Sequence, residues 1–211
     1  MKAYRAVVTA HPTTPPLTLD ELRLQARTLF PGEDDPFAGA EDGLLSIYIE
    51  SARLEIDAPT GYLGRSLMER SYRLFVDACP CDTIILPHPP ISEVTAASYK
   101  DRMGNLQPLT LDDFEIDIVS PDHVGRMTLK HDKKWPADMQ AHGRGIVQVD
   151  YVAGYETIAE VPAIIRHYML IKAATFYRDR EASTVGLPVT KTEHIERLLE
   201  NYRIKDTLDV E

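Results

Sequence analysis

Apolar residues return along this chain at two different periods, and the change of period divides it. Leu19, Leu22, Ala26 and Leu29 fall at helical spacing. Thr18-Leu19-Asp20-Glu21, at their head, has capping-box spacing. The Thr18 hydroxyl can accept from the Glu21 amide while the Glu21 carboxylate reaches back to the Thr18 amide. Pro31-Gly32 stops the run. Pro12, Pro15 and Pro16 in front predict an extended arm, and Glu33-Asp34-Asp35-Pro36 behind predicts an acidic loop. A second helix is expected from Ala40 onward, with Leu45, Tyr48, Ile49, Ala52 and Ile56 on one face until Pro59-Thr60-Gly61 ends it.

The period then shortens to two. Met68, Tyr72, Leu74 and Val76 alternate with Glu69, Ser71, Arg73 and Asp77, the pattern of a half-buried strand. Ile84-Ile85-Leu86 is a short strand broken by Pro87-His88-Pro89-Pro90, which confines it to an edge or a loop. Val94 to Tyr99 is extended again, and Asp101-Arg102-Met103-Gly104-Asn105 supplies a hairpin turn. Phe114, Ile116 and Ile118 alternate with Glu115 and Asp117, and further strands are expected at Val124 to Leu129 and Gly145 to Tyr151. Together these predict a small antiparallel unit of about five strands.

Helix returns at Pro162, whose missing N–H costs nothing at a first helical position. Ile165, Tyr168, Met169, Lys172 and Phe176 follow one face, and Ile164, Ile171 and Ala173 widen it, which implies contact on more than one side. After Gly186-Leu187-Pro188, Thr190 and Glu193 make a second capping box, and Ile195, Leu198, Leu199 and Tyr202 form a clean stripe on a short helix. The expected fold class is α+β. A mainly helical body of two N-terminal helices, one long and one short C-terminal helix would carry an inserted small antiparallel β-unit. Residues 17–60 and 155–185 would form the body, 63–152 the insertion and 186–211 a tail, all within one domain spanning 1–211.

Composition narrows the function more by exclusion than by assignment. The 211 residues carry 23 Lys+Arg against 33 Asp+Glu, a formal charge of −10. Charged residues at 27% and hydrophobic ones at 44% are ordinary for a globular chain and argue against disorder or a fibrous repeat. No apolar run approaches the ~20 residues that span a bilayer, so no membrane partner is expected. The start is too weak for a secretory signal. The acidity argues against wrapping DNA by phosphate neutralisation, though not against standing near it. Residues 1–60 are the most acidic stretch, with 5 basic and 10 acidic side chains.

Chemistry is sparse. Cys79 and Cys81 flank Pro80; a disulfide framework needs more cysteines and zinc needs two more ligands at a recognisable spacing. The pair reads as small apolar residues of a reduced intracellular protein. The seven histidines form no His-x-x-x-His pair. Gly61-Tyr62-Leu63-Gly64 lacks the Lys-Ser/Thr of a phosphate loop, and Gly143-Arg144-Gly145 enters a strand instead of leaving one. No Gly-x-Ser-x-Gly elbow occurs. No cofactor, metal or catalytic residue is nominated. A hydrolase would have to use His131 or His142 with Asp132 or Asp138, isolated residues of a kind most proteins carry. Trp135, beside Lys133 and Lys134, could meet a partner or anchor a long loop on the sheet.

Several fragments in one order carry a more specific likeness. They are Pro16-Leu17-Thr18-Leu19-Asp20-Glu21; Leu44-Leu45-Ser46-Ile47-Tyr48-Ile49 with Thr60-Gly61; and Ile85-Leu86-Pro87-His88-Pro89-Pro90-Ile91 with Tyr99-Lys100-Asp101. Tyr151-Val152-Ala153-Gly154-Tyr155, Val161-Pro162-Ala163-Ile164 and Leu198-Leu199-Glu200-Asn201-Tyr202-Arg203 complete them. From Leu17 to Arg203 the chain resembles the head–tail connector (adaptor) proteins of long-tailed phages, prophages and gene transfer agents. It departs from them at Tyr62, where a basic residue commonly follows Thr-Gly, and at Cys79-Pro80-Cys81.

The resemblance implies a non-enzymatic structural protein of the virion head–tail junction, present in the host cytoplasm during assembly. Its partners would be copies of itself in a ring, expected to be twelvefold, the portal protein, and the tail or its stopper. DNA would pass through the lumen without sequence-specific binding. On that reading Ile165, Tyr168, Met169, Lys172 and Phe176 are candidates for an inter-subunit helix. Ile195, Leu198, Leu199 and Tyr202 would dock onto a neighbour or the portal, or fold back on their own body. Glu33, Asp34 and Asp35 are candidates for an acidic lumen. The rival is a host-encoded or prophage binding module.

Overall fold

The structure, a computed structural model, describes residues 4–28, 39–78, 83–118, 124–179, 197 and 199–204. Among these the chain is mostly sheet. Eight strands, β1 (Tyr4–Ala10), β2 (Arg70–Ala78), β3 (Thr83–Leu86), β4 (Ile91–Lys100), β5 (Leu106–Leu109), β6 (Phe114–Asp117), β7 (Gly125–Leu129) and β8 (His142–Ala153), accompany three helices. The helices are α1 (Leu19–Ala26), α2 (Asp42–Ile56) and α3 (Ala163–Arg178). The strands form two antiparallel sheets, ordered β1-β2-β8-β4-β5 and β3-β7-β6.

The expected mainly helical body is therefore corrected to a sheet-dominated fold. Two strands, β1 and β5, went unnamed in the sequence reading, and β4 was found only from Val94 to Tyr99. Tyr4, Ala6 and Val8 alternate with exposed residues, and the short Ala/Val stretch at the start becomes edge strand β1 on β2. Pro108 argues against a strand, yet β5 lies at the sheet edge, where a missing N–H breaks no ladder bond. In β4 the buried residues Ile91, Val94 and Ala97 recur every three positions. Its pairing with β8 shifts register between Ile91 and Glu93 and again between Val94 and Ala96, and each bulge adds a residue before the same face returns.

The local helix signals held better. Thr18 caps α1 with the full reciprocal box: Glu21 N–H donates to Thr18 Oγ1 at 3.2 Å and Thr18 N–H to Glu21 Oε2 at 2.8 Å. The helix stops before Pro31-Gly32, because Arg27 turns left-handed at φ 57° and donates to the Arg23 carbonyl. Leu45, Ile49, Ala52 and Ile56 are the buried face of α2, and Pro162 caps α3 from just outside it. The second capping box at Thr190 and Glu193 lies outside the described residues. No helix among the described residues is long and apolar enough to cross a membrane.

Two apolar clusters result. One gathers Leu17, Leu22, Leu45, Ile56, Leu67, Val161, Ile165, Met169 and Leu199 between the three helices and the turn that follows α2. The other gathers Tyr72, Leu74, Leu86, Phe114, Met127, Val149 and Tyr151 from both sheets. Trp135 packs against Phe114 with ring centroids 5.4 Å apart, the loop-anchoring alternative.

Candidate functional site

The helices meet the sheet at a buried polar junction, and the quoted fragments converge there. α2 ends where Asp57 becomes extended, and Gly61 folds so tightly over it that a Cβ would lie 2.3 Å from the Asp57 backbone. Asp57 is fully buried, so its carboxylate needs partners inside the protein. Oδ1 accepts the Leu67 N–H at 2.9 Å, and Oδ2 accepts from both Arg53 and Arg70. Arg70 donates a second bond to the Ala58 carbonyl at 2.8 Å. Three separate segments are tied to one carboxylate.

The proline-rich turn after β3 closes the other side. Ser66 N–H donates to the Pro89 carbonyl at 3.1 Å, Gly154 N–H to Pro90 at 2.8 Å and the Tyr151 hydroxyl to Pro87 at 3.0 Å. Tyr151 stacks on Tyr72 at 5.3 Å, and the Tyr72 hydroxyl shares a 2.7 Å bond with Ser66. Burial pushes the phenols of Tyr151 and Tyr72 up, so both stay protonated donors. Gly154, at φ 120°, permits the crossing: a Cβ there would lie 2.2 Å from the Met68 carbonyl oxygen. The motif residues are thus joints of the fold.

The C-terminal segment seats on this junction. Arg65 is buried and donates through Nε to the Tyr202 carbonyl at 2.7 Å, Ile204 N–H donates to Leu63 at 2.8 Å, and Leu199 is 1% exposed. Tyr62 donates its hydroxyl to Glu200 at 2.6 Å and lies under the Arg203 guanidinium. Tyr62, the departure from the connector pattern, therefore holds the tail. The open depression beside it, about 350 Å³, is lined by Pro59, Tyr62, Pro87, His88 and Arg203.

The nominated residues do not form one site. Ile165, Tyr168 and Met169 are buried within the chain's own helical cluster, and Phe176 packs against it half-buried. Lys172 and Tyr168 both donate to Glu55, at 2.8 and 3.1 Å. This packing accounts for the broad apolar face of α3 without a neighbour. Leu199 and Tyr202 lie on their own body, while Ile195 and Leu198 fall outside the described residues, as do Glu33, Asp34 and Asp35 and both cysteines. His131 and His142 are exposed, and Asp138 accepts from the Tyr99 hydroxyl at 3.0 Å. Among the described residues no group of three or more His, Cys, Asp or Glu could hold a metal.

What sequence reasoning missed is the Asp57–Arg53–Arg70 centre. Its signal was there: charged residues of opposite sign at Arg53 and Asp57, one helical turn apart, in front of a Pro-Thr-Gly stop.

The architecture is that of particle-neck chains. A chain from the neck of an empty gene transfer agent particle, computed with C6 symmetry, superposes with a TM-score of 0.72. It is 24% identical, and the match covers 98% of both chains. A chain from the virion of a native gene transfer agent particle gives 0.70 at 23% identity, over 97% of this chain and 98% of that one. A third, from the neck of a native particle computed with C12 symmetry, gives 0.58 at 20% identity over 96% and 98%. No family model and no curated protein matches the chain. At these identities the likeness establishes the shared fold.

Proposed function

We propose that this chain is a structural subunit of a virion neck. It forms a ring, twelvefold when assembled, that docks beneath a portal and joins the DNA-filled head to the tail or its stopper. DNA passes through the lumen. The observation that carries the reading is the match, end to end in both chains, with neck chains of gene transfer agent particles. The role is structural and not catalytic, and the residues that the connector resemblance rests on build joints of the fold. The chain acts as one unit spanning 1–211. Its tail is anchored on its own body by Leu199 and Tyr202, which leaves Ile195 and Leu198 of the same stripe to meet the portal in a helix-in-groove manner. Glu33, Asp34 and Asp35 face the lumen, where like charge keeps phosphates from sticking.

Mixing the protein with its cognate portal and imaging the complex tests this directly. A ring of this chain sharing the portal's axis, with twelve copies, is expected. Portals that remain bare at micromolar protein, or that take up single copies off-axis, would overturn the reading.

A further inference from the structure

A strand that ends a sheet shows its backbone to solvent on one side, and such an edge is a template for another strand unless something blunts it. Four strands of this fold are edges: β1 and β5 of the larger sheet, β3 and β6 of the smaller. Three of them are short and guarded. β3, β5 and β6 have four residues each; β3 runs directly into Pro87, β5 contains Pro108, and β6 carries Glu115 and Asp117. β1 has seven residues, no proline and no lysine.

Among the described residues nothing covers that edge. β2 lies on one side of β1, no strand lies on the other, and no backbone hydrogen bond reaches residues 5–10 from anywhere but β2. The core beneath is open on the same flank. Tyr4, Ala6 and Val8 pack against the sheet cluster but are only half-buried, whereas Tyr72, Leu74 and Val76, one strand further in, are fully buried. An added strand would complete the burial of that row. On the outer face Val7 is 42% exposed, and the Arg5 guanidinium lies over the Phe75 ring at 4.9 Å. The bulge between Val8 and Ala10 limits regular pairing to residues 4–8.

We propose that β1 of one copy pairs antiparallel with β1 of a second, about a two-fold axis at Ala6, so that two five-stranded sheets become one. An open row of N–H and C=O groups takes an extended backbone. The matching edge on a second copy is its own β1, because the other edges are guarded. The register is self-complementary. On the core side Tyr4 faces the second copy's Val8, an aromatic and β-branched pair, and Ala6 faces Ala6; on the outer side Arg5 faces Val7. The strand's single charge therefore never meets its own counterpart. An isologous contact joins two copies and stops there, and it cannot recur between neighbours of a ring whose subunits all face one way. The pair is a form of the free protein, on a surface of its own, and goes beyond the neck reading.

Substitution at Val7 tests both the edge and its register. Val7→Lys sets a cation opposite the second copy's Arg5, twice per pair; Val7→Glu sets an anion there. Arg73, opposite Val7 in β2, is already paired with Asp150 at 2.6 Å and leaves the new charge to the dimer. Sedimentation equilibrium of the wild type at low salt is expected to show a weak, concentration-dependent dimer. Val7→Lys should weaken it at least about tenfold and Val7→Glu strengthen it about three- to tenfold. The difference should shrink in about 1 M salt, where the screening length is about 3 Å. Exchange of the outward-pointing amides of β1 should slow as concentration rises. Unchanged melting of both variants, read by circular dichroism, shows that the fold is intact. A wild type still monomeric at about 1 mM, or a dimer that responds alike to Lys and Glu, would overturn the pairing. So would slow exchange of those amides in dilute protein, which would give the edge to another segment of the same chain. Loss of rings on the portal with Val7→Lys would also overturn it and give β1 to the assembled neck. Rings that form normally from both variants, beside dimers shifted in opposite directions, are the result expected.

Discussion

Asp57 shows how one side chain can hold two layers together. Its carboxylate is out of solvent and accepts from the Leu67 backbone and from two guanidinium groups. Removing one member of such a cluster costs more than the cluster contributes net, because the remaining charges stay buried without a partner. Arg53 keeps Glu50, but Arg70, itself buried, loses its one ion pair among the described residues and keeps the Ala58 and Met68 carbonyls. Asp57→Ala is expected to destabilise the fold by about 3–5 kcal/mol, a fall in melting temperature of roughly 6–20 °C for a chain of this size. Urea unfolding of the variant measures it, and a loss below about 1 kcal/mol would mean that water or backbone shifts satisfy Arg70 instead. Glu21 is a milder case. Burial works to raise its pKa, but the Thr18 amide and hydroxyl and Arg166 outweigh that and hold it below the ordinary value.

Among the elements, the C-terminal segment is the one whose contribution can be removed cleanly. It buries Leu199 and gives Arg65 and Leu63 their partners in Tyr202 and Ile204. Deleting residues 197–211 is expected to cost about 3–5 kcal/mol, from one buried leucine and two hydrogen bonds, and to lower the melting temperature measurably. An unchanged melting curve would show that the seat on the junction contributes nothing. The sequence made some elements legible and hid others for definite reasons. α2 was readable because a helix with one buried face repeats every three to four residues, and hydrophobicity alone reports that. The same stripe logic found Leu199 and Tyr202 but could not say whose surface they cover. β4 was blurred because two bulges turn its period of two into three. β1 was passed over because seven residues of a half-exposed edge strand carry little apolar weight, and their partners in β2 lie 61 to 72 positions on. The junction was hidden because a charged residue in sequence reads as surface until its partners, distant along the chain, are known.

At the scale of the whole molecule the question is where the net charge of −10 goes when copies assemble. Residues 1–60 carry the largest share of it, with 5 basic against 10 acidic side chains. If the proposed ring turns these acids toward its lumen, their field lowers the local affinity for phosphates. Making Glu33, Asp34 and Asp35 all lysine replaces three negative charges by three positive ones per subunit, a net change of six. If these residues face the lumen, the triple variant should form rings on the portal yet hold DNA in the neck. The measurements are the rate of DNA release from assembled particles and its salt dependence. Release is expected to slow in the variant and to recover as salt screens the added cations. Release at the wild-type rate at every salt concentration would place these three residues away from the DNA path and move the acidic lumen elsewhere on the chain.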